Sequence, residues 1–292
     1  MSKAIQTARL DWQCIDGIEI PVSQQFADVY FSKDNGLFEA RHVFLNGNDL
    51  PTRLAKLQDF EYFSVGETGF GTGLTILALW QLWQQVRPDN NSHLHVISIE
   101  KFPLTRTDLI RALKVWPELK PLADQLIQHY PIPIAGCHRL NFPNERFSLD
   151  LWLGDVQDVC ANMHKIKAVD AWFLDGFAPS CNPEMWQAAV LEQIVRLSAP
   201  GTTFSSFSVA GVLKRGLQQH GISISRAPGF GHKREMLTAI WPTPITAQTP
   251  MLSTDSTNCA TEISAPVPQK IKQRKIAVIG AGIAGLSCAW AF

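Results

Sequence analysis

Three glycines and one acid lie in a short segment that could hold a nucleotide-like ligand. Glycine lets the backbone approach a ligand closely, and a helix that begins behind such a turn offers free N–H groups. A carboxylate in the turn repels a pyrophosphate but attracts a cation. The segment therefore favours a cationic nucleotide such as S-adenosylmethionine, which carries a sulfonium and an ammonium. The predicted cofactor-binding residues are Glu67, Gly69, Phe70, Gly71 and Gly73.

Acids also follow two later apolar stretches that read as strands. Glu100, with Lys101 next to it, ends the second strand and is predicted to accept hydrogen bonds from the ribose hydroxyls of the cofactor. Asp155 follows a strictly alternating strand and is predicted to face the adenine amino group. The simpler alternative is that such acids cap the next helix or face solvent at the edge of the sheet.

Asp175 opens a turn rich in special residues and is the predicted catalytic residue. Methyl transfer from a sulfonium is an in-line displacement, so the protein mainly has to position the acceptor and exclude water. When the acceptor is an amine, a nearby carboxylate can orient the ammonium and take its proton. Phe177 and Pro179 are predicted to shape the wall beside Asp175.

A basic segment, Gly229-Phe-Gly-His-Lys-Arg-Glu-Met, lies between the last two predicted strands. Lys233 and Arg234 could hold a nucleic-acid backbone beside a splayed base. The alternative is a solvated basic hairpin tip.

The elements that must position these residues alternate between strand and helix from residue 62 onward. This pattern predicts an α/β fold with a Rossmann-like, mostly parallel sheet, an antiparallel strand at its edge, and ligands at the carboxyl ends of the strands. The first sixty residues read as short strands instead, including a hairpin that turns at Asp16-Gly17. The predicted strands are 12–20 (the hairpin), 29–31, 42–45, 62–65, 94–99, 147–153, 171–174, 202–207, 222–226 and 236–241; the predicted helices are 74–86, two entered near Pro103 and Pro117, 183–197 and 209–219.

Composition changes divide the chain into four parts. Residues 1–60 form a predicted β extension, 61–241 the nucleotide-binding domain, and 242–273 a linker rich in Thr, Ser and Pro. Residues 274–292 hold the dinucleotide fingerprint Gly280, Gly282 and Gly285 after an apolar strand. A dinucleotide site needs a whole domain, so we expect this part to be the truncated start of an FAD-binding domain that does not hold FAD.

The composition is that of an ordinary globular protein, with 46% hydrophobic and 18% charged residues. Six cysteines without a C-x-x-C pair, and no signal sequence or membrane span, predict a cytoplasmic protein with reduced thiols and no metal site. The net charge is zero, so any RNA must be held by a local basic patch.

Several long motifs resemble the bacterial bifunctional tRNA 5-methylaminomethyl-2-thiouridine biosynthesis protein from about residue 5 to 241. That family methylates the 5-aminomethyl group of the tRNA wobble uridine with S-adenosylmethionine, after an FAD-dependent module removes a carboxymethyl group. The resemblance implies that Glu67 and the glycines hold the methyl donor, Glu100 its ribose, and Tyr30 and Asp175 the acceptor side; a separate oxidase could supply the aminomethyl substrate. The motifs are Asp28-Val-Tyr-Phe-Ser, Val43-Phe-Leu-Asn-Gly-Asn, Glu67-Thr-Gly-Phe-Gly-Thr-Gly, Glu100-Lys-Phe-Pro-Leu-Thr, Asp170-Ala-Trp-Phe-Leu-Asp-Gly-Phe-Ala-Pro and Gly229-Phe-Gly-His-Lys-Arg-Glu-Met-Leu.

One departure from that family lies at Gly36-Leu-Phe38-Glu39-Ala40-Arg41, where a pair of acids is expected and Phe38 replaces the first. If that pair touches the substrate amine, Phe38 would weaken acceptor binding. Two other functions are open at this point. One is an NAD-dependent dehydrogenase on the same sheet, against which Glu67 argues. The other is a non-catalytic RNA-binding module.

Overall fold

The computed structural model describes residues 5–32, 35–163, 169–231 and 233–243, and the structural statements below concern these residues. The FAD-type fingerprint at Gly280, Gly282 and Gly285, and all of the predicted linker after residue 243, lie outside the described residues.

A small antiparallel sheet opens the chain, as the hairpin pattern predicts. Its strands are β1 (Leu10–Ile15), β2 (Ile18–Ser23) and β3 (Asp28–Val29), in that order. Asp16 and Gly17 both have positive φ, 52° and 80°, which is the backbone twist that a two-residue hairpin turn requires.

The main sheet has eight strands in the order β10-β11-β9-β8-β4-β5-β7-β6. The central strands are parallel, from β9 through β8, β4 and β5 to β7. The order reverses at β4, because β5 lies on one side of it and β8 on the other, and ligands bind at such a switch point. The strands are β4 (Tyr62–Glu67), β5 (His93–Glu100), β6 (Gly136–Phe142), β7 (Phe147–Leu153), β8 (Ala171–Phe173), β9 (Thr203–Ser206), β10 (Ser223–Pro228) and β11 (Glu235–Ile240).

This sheet confirms the predicted mostly parallel α/β fold with an antiparallel edge. β11 runs antiparallel to β9, and β10 antiparallel to β11. The opposite edge carries a second antiparallel strand, β6, which the sequence patterns did not predict.

Eight α-helices in the described residues connect and cover the strands. The predicted strand at His42–Leu45 is wrong, because α1 continues through Arg41–Asn46 as a π-helical segment with Val43, Phe44 and Leu45 buried. The predicted helix 183–197 is two elements, since Gln187 has an extended backbone (ψ 155°) between a 3₁₀ turn, Pro183–Trp186, and α7. The helices are α1 (Gly36–Ala40), α2 (Leu50–Ala55), α3 (Leu74–Val86), α4 (Arg106–Leu113), α5 (Lys120–His129), α6 (Val156–Asn162), α7 (Ala188–Arg196) and α8 (Gly211–Gln218).

Two apolar cores lie on the two faces of the main sheet. On one face Trp80 of α3 stacks on Phe147 at 4.6 Å between ring centroids, and Phe31 and Phe44 from the first sixty residues join the same cluster. On the other face Trp172 of β8 is fully buried among residues that include those of α6, α7 and α8. The N-terminal segment and the sheet thus share one core.

Candidate active site at the switch point of the sheet

A cavity of about 1050 Å³ opens at the carboxyl ends of the central strands. Its size is at the upper end of the range for small-molecule sites, about 300–1000 Å³, so it has room for more than one small group. The following residues from the predicted set line it: Tyr30, Gly69, Phe70, Gly71, Glu100, Lys101, Asp155, Asp175, Phe177 and Lys233.

Thr68 joins the glycine turn to the Asp175 turn across the switch point. Its hydroxyl donates to the backbone oxygen of Asp175 at 2.6 Å and accepts from the Asp175 N–H at 3.1 Å. The Thr68 N–H donates to the oxygen of Phe173 at 3.3 Å. These bonds fix the two predicted ligand-binding turns against one another.

The glycine turn is tight at Gly69 and requires an unusual backbone conformation at Gly71. A Cβ on Gly69 would lie 3.3 Å from the Cα of Gly176. Gly71 has a φ of +54°, and a Cβ there would lie 3.4 Å from Cδ1 of Tyr30. Gly73 precedes α3 with a φ of +72° but does not line the cavity, so its part is to start the helix.

The Glu67 carboxyl lies beneath the glycine turn and is not among the residues that line the cavity. It is fully buried, and the Ser98 hydroxyl donates to Oε2 at 2.5 Å, whereas Oε1 has no hydrogen-bond partner among the described residues. Burial, together with the nearby Asp175, raises the pKa of Glu67 well above its usual value. Because the neutral form is favoured, the direct attraction of a cation that the sequence suggested is weak in this arrangement. The unpartnered Oε1 is the atom that a ligand donor could use.

Glu100 is held by two backbone N–H groups at the end of β5. Gly71 donates to its Oε2 at 2.9 Å and Phe102 to its Oε1 at 2.8 Å. Each oxygen keeps a second lone pair, so the carboxylate can accept one more hydrogen bond at each oxygen. Burial raises the pKa of Glu100, and the backbone donors partly oppose this.

Asp155 caps a helix, as the simpler alternative predicts, and also lies in the cavity lining. Its Oδ1 accepts from the Gln157 N–H at 2.9 Å, as the N-cap of α6, and it also lines the cavity. Lys101 Nζ lies 2.8 Å from its Oδ2 and 3.5 Å from Oε2 of Glu184. Burial tends to raise the pKa of Asp155, but Lys101 and the cap outweigh it and lower the pKa.

The pKa of Asp175 lies near neutral pH. Burial raises it from 3.8 to about 7, and Glu39 acts in the same direction. The Gly176 N–H, which donates to Oδ1 at 2.8 Å, the Lys233 ammonium and the Thr75 hydroxyl act against this rise. At neutral pH the group can therefore both accept and release a proton.

An aromatic wall stands over the Asp175 turn. Phe177 stacks on Phe26 at 4.8 Å and meets Tyr30 edge-on at 5.0 Å, while Phe26 is 5.9 Å from Phe102. The sequence analysis missed Phe26 and Phe102, although Phe102 lies within a quoted motif and Phe26 just before another. Burial raises the pKa of Tyr30, so its hydroxyl stays protonated.

Besides Glu67 and Gly73, two more predicted site residues, Pro179 and Arg234, are not among the residues that line the cavity. Pro179 lies farther along the Asp175 turn, and Arg234 is exposed on the hairpin. Lys233 does line the cavity, and its Nζ lies 2.7 Å from Oε1 of Glu39.

The departure at Phe38 does not reach the cavity. Phe38 is 51% exposed and lies against the Arg41 guanidinium, whereas its neighbour Glu39 lines the cavity. Since α1 turns Phe38 outward, the expectation that this residue weakens acceptor binding has no geometric basis.

No cluster of three or more His, Cys, Asp or Glu side chains in the described residues could hold a metal ion. Within the same residues, no helix is both long and apolar enough to cross a membrane.

The chain is similar to known methyltransferase sequences and to proteins named for one tRNA modification. Residues 117–242 match a family described as S-adenosyl-L-methionine-dependent methyltransferase. The chain is 68% identical over 290 residues to the tRNA 5-methylaminomethyl-2-thiouridine biosynthesis bifunctional protein MnmC of Acinetobacter baylyi, covering 99% of this chain and 44% of the relative. The protein of the same name from Psychrobacter cryohalolentis is 44% identical over 300 residues, covering 98% and 42%. These relatives confirm the resemblance that the motifs indicated, and the chain spans less than half of their length.

A solved structure confirms the fold. MNMC2 from Aquifex aeolicus superimposes with a TM-score of 0.64 at 21% identity, covering 82% of this chain and 74% of that one.

Proposed function

We propose that this chain transfers a methyl group from S-adenosylmethionine to the 5-aminomethyl group of a tRNA wobble 2-thiouridine, giving 5-methylaminomethyl-2-thiouridine. The observation that carries the proposal is Asp175, a carboxyl with a pKa of about 7, in a cavity that also contains the glycine turn. The similarity to proteins named for this modification supports it.

The residues fit the methyl donor. The glycine turn is a cradle that a Cβ would fill at Gly69 and Gly71. Glu100 has one unused lone pair on each oxygen for the two ribose hydroxyls, and Asp155 has acceptor capacity for the adenine amino group. Glu67 lies outside the cavity lining and favours the neutral form, so we propose that its unpartnered Oε1 supports the donor through a hydrogen bond from beneath the turn and not through an ion pair. We therefore propose Glu67, Gly69, Phe70, Gly71, Glu100, Lys101 and Asp155 as the donor-binding set, with Gly73 shaping the turn.

When bound, the donor supplies an electrophilic methyl group, and the protein has to deliver an uncharged amine to it. An amine is protonated at neutral pH and has no free lone pair, so its proton must leave first. Oδ2 of Asp175 is the acceptor we propose, because Oδ1 is already held by the Gly176 N–H. Phe177, Phe26 and Tyr30 exclude water beside it, which strengthens the contact between carboxylate and ammonium.

The acceptor amine has to be formed before it can be methylated. The resemblance assigns that step to an FAD-dependent oxidase, and we propose that a separate active site supplies it. The proposed partner of the cavity described here is then the anticodon loop of tRNA, which Lys233 and Arg234 would help to hold.

The test is incubation with labelled S-adenosylmethionine and tRNA bearing the aminomethyl wobble uridine, followed by nucleoside analysis. We expect label in 5-methylaminomethyl-2-thiouridine. Asp175→Asn should lower the rate roughly 100- to 10,000-fold, the usual contribution of general acid–base catalysis. Calorimetry should show that its affinity for S-adenosylhomocysteine is nearly unchanged.

The matched control is Asp170→Asn, just before the opposite end of the same strand, where the carboxylate accepts from the Ser64 N–H at 2.8 Å. It should leave the rate unchanged. No labelled nucleoside with the native protein would refute the proposal, and tight binding of NAD in place of S-adenosylhomocysteine would favour a dehydrogenase.

A further inference from the structure

The cavity already contains an ammonium group, that of Lys233. Its Nζ lies 2.7 Å from Oε1 of Glu39 and 4.3 Å from the centroid of the Phe207 ring. Both residues line the cavity. The charge of this ammonium also acts on Asp175, where it lowers the pKa.

These three groups are what an alkylammonium requires. A carboxylate accepts a charge-assisted hydrogen bond, and an aromatic face attracts the cation. A second carboxyl lies near enough to interact electrostatically with the ammonium. We call the Glu39 carboxylate, the Phe207 ring and the Asp175 carboxyl the ammonium nest. The lysine ammonium in it is chemically equivalent to the protonated aminomethyl group of the proposed acceptor, since both are primary ammonium groups on a methylene.

We propose that Glu39 positions the acceptor ammonium beside Asp175, and that Lys233 occupies the place of this ammonium in the structure. The inference rests on the proposed function and adds a residue that selects the acceptor by charge. Glu39 would hold the amine while Asp175 takes its proton. No oxidant or further reactant is needed, because the proton passes from nitrogen to oxygen.

The structure holds Glu39 firmly. It lies on α1, where the side chain of Asn35 caps the helix by accepting from the Phe38 N–H at 3.1 Å. Gly36 packs so closely on Phe31 that a Cβ there would lie 2.7 Å from the Cβ of Phe31. Leu37 on the same helix is 1% exposed. A helix anchored in this way just before Glu39 is a suitable base for a positioning group.

Lys233, in contrast, can leave. Its side chain is 47% exposed, against 15% for that of Glu39. It is on the hairpin between β10 and β11, two residues after Gly231, whose φ is +57°. When tRNA arrives, its phosphates offer Lys233 another anion, and the nest becomes available for the amine.

Other carboxylates of the cavity fit this role less well. Asp155 already holds Lys101 and caps α6. The unused lone pairs of Glu100 are already assigned to the ribose hydroxyls of the donor. The side chain of Glu184 is 73% exposed, so water would weaken its bond to an ammonium.

The test compares two tRNAs that differ only in the charge of the wobble substituent. One bears the 5-aminomethyl group, and the other bears the same group after acetylation, which is neutral. We expect the native protein with S-adenosylhomocysteine to bind the amine form about tenfold or more tightly, the range for a hydrogen bond to a charged group. Glu39→Gln should lose most of this preference, the remainder coming from Phe207 and Asp175, and Glu39→Asp should restore part of it.

Kinetics separate this inference from a structural role. Glu39→Gln should raise KM for the aminomethyl tRNA by the same factor by which it lowers the preference for the amine form. The affinity for S-adenosylhomocysteine should be unchanged. The matched control is Glu118→Gln, which breaks an ion pair of similar length, 2.9 Å to Arg41, outside the cavity lining. It should alter neither quantity.

The outcomes distinguish the two proposals. If Glu39→Gln keeps the native preference for the amine form, Glu39 does not position the acceptor, whatever the activity of the protein. If the native protein transfers no methyl group to the aminomethyl tRNA, the proposed function fails instead.

Discussion

The chemistry of the cavity depends on how the charges around one carboxyl are balanced. Asp175 is partly buried, and it is faced by groups from several elements: Glu39 on α1, Lys233 on the last hairpin, Thr75 on α3, Glu67 at the end of β4, and the Gly176 N–H. Negative neighbours raise its pKa, and the lysine lowers it. Small changes in these neighbours should therefore move the pH dependence of the reaction.

The first prediction concerns this pH dependence. Asp175 must be ionised to take a proton, so the rate of methyl transfer should rise with pH through about 7. Lys233→Met removes a positive charge, which raises the pKa of Asp175 and should move the rise to higher pH. Glu39→Gln removes a negative charge and should move it to lower pH. The pH profile of kcat/KM from about pH 5.5 to about 9, which reports the pKa of the free protein, checks both shifts.

Lys120→Met, which breaks a 2.6 Å pair with Asp124 outside the cavity lining, is the control and should leave the profile unchanged. Shifts of the same sign in Lys233→Met and Glu39→Gln would contradict the assignment of Asp175 as the proton acceptor.

A second prediction at the residue scale concerns Gly71. Gly71→Ala places a Cβ 3.4 Å from the Tyr30 ring and a non-glycine residue at a φ of +54°. The φ alone costs about 1–2 kcal/mol of folding free energy. Gly221→Ala is a matched control, because Gly221 has a φ of +76° and no atom within 4 Å of the added Cβ.

Thermal unfolding should show similar destabilisation in both glycine variants. Only Gly71→Ala should weaken S-adenosylhomocysteine binding by calorimetry. Equal binding in both would mean that the glycine turn does not face the donor.

The sequence identified the chemically distinctive residues of the cavity but not their partners. Glu100 and Asp175 end or directly follow strands of a parallel sheet, so their meeting could be predicted from topology. The Lys233–Glu39 pair joins residues 194 apart in the chain, and no local pattern reports such a contact. For the same reason, the burial of Glu67 behind Ser98 could not be foreseen.

At the scale of elements, predictions that rest on a clear local pattern are correct, and those that depend on distant contacts are wrong. The helix predicted at 74–86 is α3 to the residue, because a long apolar period bounded by glycine and proline is unambiguous. The short apolar run His42–Leu45 reads equally well as a buried strand or a buried helix. Packing decides that this run is helical, since the ring centroids of Phe44 and of Phe173 in β8 lie 5.3 Å apart.

The small N-terminal sheet is tied to the Asp175 turn by the side chain of Asp28. Its Oδ2 accepts from the Ala178 N–H at 2.9 Å and ties the segment before Tyr30 to the Asp175 turn. Asp28→Ala should cost about 0.5–1.5 kcal/mol of stability, as for one hydrogen bond. It should also lower kcat of methyl transfer, because the turn that positions Asp175 and Phe177 loses its tether.

A control for this variant is Asp59→Ala. Asp59 Oδ1 accepts from the Asn91 N–H at 2.8 Å, near the amino ends of the strands. The stability loss should be similar, with kcat unchanged. A normal kcat in Asp28→Ala would show that the Asp175 turn holds its shape without the small sheet.

At the scale of the whole molecule, the described residues share their cores across the boundary predicted at residue 60. Phe31, Leu37 and Phe44 belong to the same buried cluster as Trp80 and Phe147. We therefore propose that residues 1–60 are an extension of the domain formed by 61–241 and do not fold separately from it. A single thermal transition, seen equally by tryptophan fluorescence and by circular dichroism, is the expected result.

The absence of net charge determines how such a protein can hold tRNA. With 26 basic and 26 acidic residues, no overall field attracts a polyanion, so affinity must come from a few local phosphate contacts. Arg234 is exposed on the hairpin that also carries Lys233. Arg234→Gln should weaken tRNA binding and reduce the slope of log affinity against log salt by about 0.7–0.9, the value for one lost phosphate contact. Lys120→Gln, whose side chain is 70% exposed on α5, should leave the slope unchanged. If the two variants behave alike, the tRNA contacts a surface other than this hairpin.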